Sequence, residues 1–561
     1  MSQRFSVVLI ALYPKHHFPF IGESQGICAI SGYLTSVFPN EAKTYIFDQQ
    51  IDADNEILSA ITSIKPDVIG FSLKMGTMNQ FDSLYASIKQ ILYTDAYSPL
   101  LVVGNSVAIF DGDYLLSRYP DVILSIGEGE ISFHDIILFL SKKLPFEAIR
   151  NIKSASVNNL GTPSQKEYYY FDDICYSDRR FSAKYYEQGG EVYIEGSRGC
   201  AYCSCSICEC KQLLGSSAVF KKWRPRPVRI IVSELMNLKE LGIENVTFSD
   251  EDFVGNDSDG IQHAEDFAEA LAGKNIGIKF RVNMRVKSIS NCTDDAQMKK
   301  RRSQLLIKLK QSGLIKIFLG FESGSQTQLK RYSKNFSFAE FLDAKKLLES
   351  LSIDYELGFI NFDPLMSFDE LTETMSFISE NNCIPFISNI FKELRIQAGN
   401  TGYLNLIRQF ERQYGINILG EFNHNEQLFP VIRYADSRVN KIVMIMRRVE
   451  KANYKLYYCL RILTQYSSIN DDEMQLLISN TLKDMKYSCY KAMMSICDIL
   501  QSKDYDASKL CDVERTYTTN IQTYYSLIKN KVSLSVDNRY FHLREILRSF
   551  ENKDNINIHE F

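Results

Sequence analysis

Five of the thirteen cysteines fall within eleven consecutive residues, as Cys200, Cys203, Cys205, Cys208 and Cys210. Thiolates crowded on one compact loop are the usual ligands of iron–sulfur clusters and of structural zinc. The spacing contains two Cys-x2-Cys pairs, but the single residue between them is too short for two separate zinc-ribbon knuckles. We therefore expect a metal centre at this loop and favour an iron–sulfur cluster, with structural zinc as the alternative.

The bulk composition is that of a folded, soluble protein. Hydrophobic residues make up 45% and charged residues 24% of the 561 residues, and the formal net charge of −4 offers no basic field for nucleic acid. The early apolar run at residues 7–13 is too short to span a bilayer and has no signal-peptide cleavage site after it. We therefore expect no membrane span and a cytoplasmic location, where a tight cysteine cluster indicates metal binding more readily than disulfides.

Residues 1–140 predict an α/β domain with a doubly wound parallel sheet, because short apolar runs alternate with longer helical patterns. Such sheets bind ligands in the crevice beyond the carboxyl ends of their strands. The loops at that edge contain Tyr13, Ser72, Gly104 and Gly127, and none has the GxGxxG pattern of a nicotinamide site. The predicted strands are residues 6–12, 44–47, 67–72, 100–103 and 122–126.

The remainder of the chain predicts three further regions. Residues 141–190 form a connector, residues 191–400 a second βα series, and residues 401–561 a helical domain without a chemical motif. The second series has six βα units, too few for a full eight-stranded barrel, so we expect an open, partial (β/α)6 barrel. The cysteine loop follows its first strand, where active-site loops of such barrels lie. The predicted strands are residues 192–195, 245–248, 278–282, 315–319, 355–360 and 386–391.

The tetrapeptide Ser-Arg-Gly-Cys that ends at Cys200 gives the loop a family resemblance. Over about residues 5–400 the chain resembles the radical S-adenosylmethionine superfamily, in the branch with an N-terminal cobalamin-binding domain. The family places three residues and then two residues between its three cysteines. Here one residue is inserted: the nearest trio is Cys200, Cys205 and Cys208, and a rival trio has Cys203 in the middle.

The resemblance implies a 4Fe-4S cluster on three thiolates with one iron left open. In the family that iron binds the amino and carboxylate groups of S-adenosylmethionine, whose reductive cleavage releases a 5′-deoxyadenosyl radical. A reductant such as flavodoxin or ferredoxin is the implied partner. Taken alone, the acidic residues among the candidates also suit an ordinary helix N-terminus, and the arginine a solvated surface. The residues implied to bind S-adenosylmethionine are Asp250, Glu251, Arg285, Glu322 and Ser323.

The first domain resembles the cobalamin-binding domain of that branch through residues 66–72 and 127–130. A Gly-Asn pair at 104–105 replaces a glycine pair common in the branch. No Asp-x-His-x-x-Gly motif is present, so no histidine is nominated as a lower cobalt ligand. The residues implied to bind cobalamin are Tyr13, Ser72, Gly104, Gly127 and Glu128.

These features imply a radical enzyme that uses cobalamin to transfer a methyl group to an unknown substrate. Within the same class, the alternatives are a rearrangement or a cyclisation that does not involve cobalamin. From another class, the alternative is a non-catalytic binding module stabilised by zinc or by a cluster. The sequence nominates no catalytic residue and names no substrate.

Overall fold

The computed structural model describes residues 4–14, 22–95, 97–155, 176–214, 223–255, 258–464, 472–502 and 506–532, with Arg544 and Leu547. Residues 156–175 of the predicted connector therefore lie outside the described part. Within the described ranges, no helix is both long and apolar enough to cross a membrane.

The N-terminal region forms a six-stranded sheet covered by helices. Its strands are β1 (Phe5–Ala11), β2 (Ala42–Asp48), β3 (Val68–Ser72), β4 (Leu100–Gly104), β5 (Val122–Ser125) and β6 (Ile152–Lys153). Its helices are α1 (Gln25–Val37), α2 (Asp54–Ile64), α3 (Met78–Asp95), α4 (Ser106–Phe110), α5 (Gly112–Arg118) and α6 (Gly129–Leu140). The spatial order is β2-β1-β3-β4-β5-β6, with β6 antiparallel to β5 and the other neighbours parallel. The predicted doubly wound sheet is confirmed.

Both faces of this sheet are packed. All residues of β5 and all but one of β1 are buried, because a parallel sheet between two helical layers needs apolar side chains on both faces. Helices α1 and α6 cover one face through Ile27 and Phe133, and α2, α3 and α5 cover the other through Ile57, Phe81 and Leu115. Strand β6 comes from the predicted connector, which thus adds an edge strand to the first sheet.

The second region is also α/β. Its strands are β7 (Tyr193–Ile194), β8 (Ser197–Gly199), β9 (Trp223–Pro225), β10 (Asn245–Phe248), β11 (Lys279–Arg285), β12 (Leu314–Glu322) and β13 (Asp354–Phe359). Its helices are α7 (Ser182–Glu187), α8 (Cys210–Leu214), α9 (Val228–Glu240), α10 (Ser258–Lys274), α11 (Val286–Ile289), α12 (Ala296–Gln311), α13 (Gln326–Arg331), α14 (Phe338–Ser350) and α15 (Phe368–Glu380). Five strands form a parallel sheet in the order β13-β12-β11-β10-β7, while β8 and β9 pair as a separate antiparallel ribbon.

The sixth strand predicted at residues 386–391 is reduced to single bridging residues. Ile387 pairs with Leu357 in an isolated parallel bridge, and a second isolated bridge follows at Glu393. Pro385 lies in a 3-10 turn immediately before the first bridge, and proline cannot donate a hydrogen bond to a ladder. The partial barrel is therefore confirmed, with its last edge made of bridges instead of a continuous strand.

The C-terminal region is helical, as predicted, and closes the open side of the barrel. Arg461 forms an ion pair with Glu356 of β13 at 2.5 Å, and Tyr457 donates its hydroxyl to the Ser388 carbonyl at 2.5 Å. The elements are β14 (Ile396–Gln397), β15 (Leu428–Phe429), α16 (Thr401–Tyr414), α17 (Ser437–Leu463), α18 (Asp472–Gln501) and α19 (Ala507–Val532).

Candidate active site

The cysteine loop joins β8 to α8 and is held by residues from other βα units. Tyr202 donates its hydroxyl to a carbonyl of the turn after α13 at 2.7 Å, and Ser206 donates its hydroxyl to the last carbonyl of α13 at 2.7 Å. From the opposite side, the Asn400 amide donates to the carbonyl of Ile207 at 2.9 Å. These bonds fix the backbone of the loop, so the positions of its thiols depend on segments far away in the sequence.

The thiols of the loop fall into two groups. Cys205 and Cys208 both interact electrostatically with the buried ammonium group of Lys334. Cys210 instead interacts with Cys203 and Cys208, and its backbone N–H donates to the Cys208 sulfur at 3.4 Å. Cys208 therefore belongs to both groups, whereas Cys203 and Cys205 have different surroundings.

These surroundings shift the acidity of the thiols in opposite directions. Burial raises the pKa of Cys200 to about 11. The hydrogen bond with the Cys210 thiol, helped by Lys334, lowers the pKa of Cys208 to about 6. The shift favours the thiolate form of Cys208, which is the form that binds metal.

The described residues do not gather three His, Cys, Asp or Glu side chains around the position of one metal ion.

The two predicted acidic residues after β10 support the backbone that leads to the cysteines. Asp250 is buried, and its carboxylate accepts hydrogen bonds from the Gly196 N–H at 2.8 Å and from the Ser197 hydroxyl. Burial raises the pKa of Asp250 to about 8. Glu251 accepts from the Gly199 N–H at 3.0 Å. Both carboxylates therefore hold β8 and its entry in place.

Arg285, the predicted arginine, is the last residue of β11, and its guanidinium is hydrogen-bonded on one edge only. Its Nε lies 2.6 Å from the Asp252 carboxylate, which also accepts from the Ser288 hydroxyl at 3.1 Å. Its Nη1 and Nη2 are buried and have no hydrogen-bond partner among the described residues. Asp252 follows the nominated acidic pair directly and was missed, although it is the carboxylate that orients Arg285.

Glu322, at the end of β12, has an unusual backbone. Its φ is 73°, a left-handed conformation that is uncommon for residues other than glycine, and a β-bulge precedes it. Its carboxylate lies 3.0 Å from the Nζ of Lys334. No motif or spacing singles out Lys334 in the sequence, and only the tertiary fold brings it to both Glu322 and the thiols.

Ser323 has no exposed surface and supports the first turn of α13. Its hydroxyl donates to Gln328 at 2.5 Å and accepts from the Ser325 N–H at 2.9 Å. The structure therefore places Ser323 beside Glu322 in the chain but inside the protein, and does not bring it to the thiols.

A buried carboxylate behind the loop was also missed. Asp363 accepts hydrogen bonds from Gln328 at 3.0 Å, Arg331 at 2.6 Å, Tyr332 at 3.2 Å and the Tyr403 hydroxyl. This network joins α13, which holds the cysteine loop, to the end of β13 and to α16. The available signal was an Asp-Pro pair directly after a predicted barrel strand.

The crevice at the carboxyl edge of the N-terminal sheet is formed by the loops predicted from the sequence. Asn105 takes φ 78°, which supplies the backbone freedom expected of a glycine. Its side-chain amide donates to the Ser72 hydroxyl at 3.0 Å, and its side-chain oxygen accepts from the Ser106 N–H at 2.7 Å. The N–H of Tyr13 is fixed by Gln49 at 3.0 Å.

The last of these loops contacts the barrel. Glu128 pairs with Arg224 of β9 and lies 3.5 Å from Arg198 of β8, and Glu130 lies 2.6 Å from the same Arg198. At Gly127 a Cβ atom would meet a neighbouring asparagine side chain at 2.7 Å, which explains the glycine. Glu128 thus joins the two α/β regions next to the cysteine loop.

Known proteins were compared with this chain by sequence and by fold. No protein-family model matches the chain. The 4'-phospho-dehydrooxetanocin synthase of Priestia megaterium is 26% identical over 389 residues, covering 68% of this chain and 51% of that protein, so the chain spans about half the length of this relative. The structure of the cobalamin-dependent S-adenosylmethionine radical enzyme OxsB with aqua-cobalamin and S-adenosylmethionine bound covers 98% of this chain and 81% of its own, with a TM-score of 0.79 and 20% identity.

This chain has the fold of the cobalamin-dependent S-adenosylmethionine radical enzymes. The resemblance inferred from the sequence is therefore confirmed at the level of the fold. The radical S-adenosylmethionine methyltransferase TsrM from Kitasatospora setae, with cobalamin and a [4Fe-4S] cluster bound, covers 75% of this chain and 77% of its own, with a TM-score of 0.55 and 14% identity.

The side chains present fit the cofactors of that fold. The cysteine loop offers five free thiols within eleven residues, and the guanidinium of Arg285 offers two buried donors to a carboxylate. The N-terminal crevice is lined by partly exposed polar loops at the edge where such sheets bind ligands.

Proposed function

We propose that this chain is a radical S-adenosylmethionine enzyme with a 4Fe-4S cluster on Cys200, Cys205 and Cys208. The observation that carries the proposal is the buried Arg285 guanidinium, which interacts with two of these thiols and has both Nη atoms without a partner in the described part of the chain. Two free donors on one guanidinium edge match the two acceptors of a carboxylate in geometry and charge. The carboxylate of S-adenosylmethionine is such an anion.

The predicted site residues then take different roles. Arg285 binds the carboxylate of S-adenosylmethionine, and Glu322, held by Lys334, faces the same cofactor. Asp250 and Glu251 act through the backbone, because their carboxylates hold the segment before Cys200. Ser323 acts indirectly as well, since it fixes the start of α13.

Cys205 is the middle ligand in this proposal. Cys205 and Cys208 both interact with Lys334, whose positive charge stabilises thiolates. Cys203 has a left-handed backbone with φ 44° and interacts with Cys210, not with Lys334, in what the structure gives for it. Its surroundings therefore favour a supporting role.

We further propose that cobalamin binds over Tyr13, Ser72, Gly104 and Gly127 and that the reaction is methyl transfer to a substrate not yet known. When bound, the cluster with S-adenosylmethionine supplies radical chemistry, and cobalamin supplies the methyl group. The chain itself binds and orients these groups and excludes water. Glu128 contributes by joining the cobalamin domain to the ribbon before Cys200. A flavodoxin or ferredoxin supplies the electron.

The proposal is tested by anaerobic reconstitution of the full chain with iron and sulfide. We expect about four irons per chain, a broad brown charge-transfer band, and cleavage of S-adenosylmethionine after reduction with dithionite. The control is the Cys200→Ala chain treated in the same way. Stoichiometric zinc without iron would instead support the binding module.

The products separate the enzymatic alternatives. Reduced chain is incubated with S-adenosylmethionine with and without cobalamin, and small-molecule products are identified by mass spectrometry. Methylated product that requires cobalamin supports methyl transfer. If S-adenosylmethionine is cleaved equally with and without added cobalamin, the result favours a rearrangement or a cyclisation.

A further inference from the structure

Residues 418–432, between α16 and α17, form an irregular antiparallel hairpin, called here the arm. Strand β15 lies within the arm and pairs with β14. The tip of the arm is the turn from His424 to Gln427. The residues that pair across the arm, from its base to its tip, are Ile418 with Ile432, Leu419 with Val431, and Asn423 with Leu428.

The tip of the arm contacts the N-terminal domain. Nδ1 of His424 lies 2.7 Å from the Asp111 carboxylate, and the side-chain amide of Gln427 donates to the same carboxylate at 3.0 Å. The His424 ring stacks on the ring of Tyr114, with 3.9 Å between the centroids. Gln427 is buried, and only 10% of the Asp111 side chain is exposed. Hydrogen bonds to a carboxylate are stronger in such surroundings than at an open surface.

Gln427 keeps this position against a backbone preference. Its φ is 61°, a left-handed conformation that is uncommon for residues other than glycine, and its amide also donates to the carbonyl of His424. Such backbone strain persists only where the surrounding contacts hold it, and it is frequent at functional sites. The strain therefore indicates that the side chain of Gln427 has a specific task at Asp111.

Asp111 connects two helices of the first domain. Its N–H donates to the Val107 carbonyl of α4 at 2.8 Å, and its carbonyl accepts from the Leu115 N–H of α5 at 3.1 Å. Helix α4 has only five residues and begins directly after Asn105. Its two ends are therefore roughly 7 Å apart. The contacts that hold Asp111 thus also hold the 104–105 turn of the crevice, one short helix away.

The arm is also bonded to the cysteine loop. Leu428, directly after the tip, pairs with Gln397 of β14. The N–H of Gln397 donates to the side-chain oxygen of Asn400 at 2.7 Å, and the Asn400 amide donates to the carbonyl of Ile207. A short chain of hydrogen-bonded residues therefore joins α4 to the loop that carries the thiols.

A direct contact supports this connection. A Cβ atom at Gly399 would lie 2.6 Å from the ring of Phe110, the last residue of α4, and 2.9 Å from the side chain of Glu209, which follows Cys208. Helix α4, the segment before α16 and the cysteine loop therefore meet at Gly399.

We propose that the arm sets the position of cobalamin relative to the cluster, with His424 and Gln427 as positioning residues that act through Asp111. This inference rests on the proposed function, because it concerns how the two cofactor sites of that function are held together. Reactions between bound groups depend steeply on geometry, and a misplacement of about 1 Å can cost about 100-fold in rate. Glu128 attaches the first domain to the ribbon at the β5–α6 loop, and the arm attaches it at α4, which opposes rotation about the Glu128 contact.

The cobalamin affinity of the cluster-loaded full chain tests the proposal, with equilibrium dialysis against hydroxocobalamin as the measurement. We expect Gln427→Leu to bind about 3- to 10-fold more weakly, because a hydrogen bond to a buried carboxylate is lost and the crevice turn keeps its binding form for less of the time. Asp111→Ala should have a similar effect. The double variant should bind no more weakly than either single variant, because both changes break the same contact. Glu426→Gln, at an exposed neighbour in the tip, is the matched control and should bind as the parent chain does.

A spectroscopic measurement separates positioning from general destabilisation. Co(II) cobalamin and the reduced cluster are both paramagnetic, so pulsed electron paramagnetic resonance gives the distribution of distances between them. We expect a narrow distribution in the parent and Glu426→Gln chains, and a broader or shifted one in Gln427→Leu and His424→Leu. His424→Asn keeps a donor near the Asp111 carboxylate and should stay closer to the parent chain. Equal iron content of the variants shows that the barrel is folded.

The proposed function and the role of the arm fail in different ways. A parent chain that takes up iron but no cobalamin contradicts the proposed cobalamin site, and the role of the arm with it. If the parent chain binds both groups and Gln427→Leu has the same affinity and the same distance distribution, the role of the arm alone is wrong. Additive effects of Gln427→Leu and Asp111→Ala also overturn it, because the two residues would then act separately.

Discussion

The guanidinium of Arg285 is held at one edge and open at the other. Asp252 fixes its Nε and is itself fixed by Ser288, so the two Nη atoms are aimed by a rigid pair. Removing the partner of a buried charge is costly, and an orphaned pair of donors is tolerated where a ligand completes it. At the scale of single residues, this open edge and the nearby thiols define the chemistry of the site.

We expect Arg285→Gln to keep its iron but to bind S-adenosylmethionine about 10- to 100-fold more weakly, because a bidentate, charge-assisted pair is lost. Equilibrium binding to the oxidised cluster form measures the affinity, and iron analysis reports the cluster. Arg301→Gln, on the exposed side of α12, serves as the control. Unchanged affinity in the Arg285 variant would assign the cofactor carboxylate to another group.

The middle ligand of the cluster can be decided by one comparison. Cys205→Ala is expected to lose the cluster, as are Cys200→Ala and Cys208→Ala, because each removes one of three protein thiolates. Cys203→Ala is expected to retain it. Iron and sulfide content with the absorbance of the reconstituted proteins provides the measurement. A Cys203 variant without cluster beside a Cys205 variant with cluster reverses the assignment.

At the scale of elements, the β8–β9 ribbon connects the cysteine loop to the first domain. Arg198 of β8 bonds to Glu195 at 2.7 Å and to Glu130 at 2.6 Å, and Arg224 of β9 bonds to Glu128. These side chains are largely buried, so their attraction is less screened than that of a surface pair. Arg198, the arginine of the Ser-Arg-Gly-Cys motif, thus links the two α/β regions and lies two residues before Cys200.

Helix α18 carries a buried lysine whose charge affects stability. The pKa of Lys486 is lowered to about 8 by burial, with Arg461 and Lys316 opposing and Glu356 favouring its charge. Between about pH 8 and 10.5 the unfolded chain therefore holds a proton that the folded chain has lost. Stability should rise with pH across this window, by at most about 3 kcal/mol for a shift of this size.

We expect Lys486→Met to remove that rise. The free energy of unfolding in urea, measured at pH 7 and at pH 10 for the parent and variant chains, tests this. Lys483→Met changes an exposed lysine of the same helix and should leave the pH dependence unchanged. Because the comparison is between pH values, the lost hydrogen bond to Pro385 cancels. If the change in stability from pH 7 to 10 is the same in the parent and Lys486→Met chains, the assignment is wrong.

At the scale of the whole molecule, three regions meet around the cysteine loop. The N-terminal domain contacts the β8–β9 ribbon beside the loop through the β5–α6 loop, the barrel carries the cysteine loop, and Asn400 before α16 donates to it. The division into residues 1–140, 141–190, 191–400 and 401–561 stays a prediction. Strand β6, from the predicted connector, pairs with β5 of the first sheet.

Cobalamin binding is the prediction that belongs to this scale. We expect the full chain, titrated with hydroxocobalamin and desalted, to retain the cobalamin spectrum. Gly104→Leu should abolish retention, because a side chain at Gly104 meets only Ser125, at 3.7 Å, and is otherwise free to fill the crevice. Gly273→Leu, on the exterior of α10 with no neighbour within 4 Å, is the control. If the parent chain retains no cobalamin and its activity does not change when cobalamin is added, methyl transfer from cobalt is excluded.

Much of the fold and part of the site were predictable from local patterns. Buried parallel strands are apolar on both faces, so their positions could be recognised from runs such as residues 100–103, and the strand ends then located Arg285 and Glu322. The cysteine loop was evident from density alone. The sixth barrel strand was predicted as a continuous strand, but the structure has only isolated bridges there. Hydrophobic periodicity does not reveal that Pro385 interrupts the hydrogen bonds between strands.

The sequence by itself determined the order of the elements and the position of the cysteine loop, and it predicted the class of cofactor chemistry, since these depend on spacing along the chain. The tertiary structure decided which of those residues act together. Lys334 pairs with Glu322, Asp252 with Arg285 and Asp363 with Arg331, each across a sequence separation of at least 12 residues. Ser323 turns inward although its neighbour Glu322 does not. Such pairings follow from the packing of side chains between elements, for which a single sequence carries no local signal.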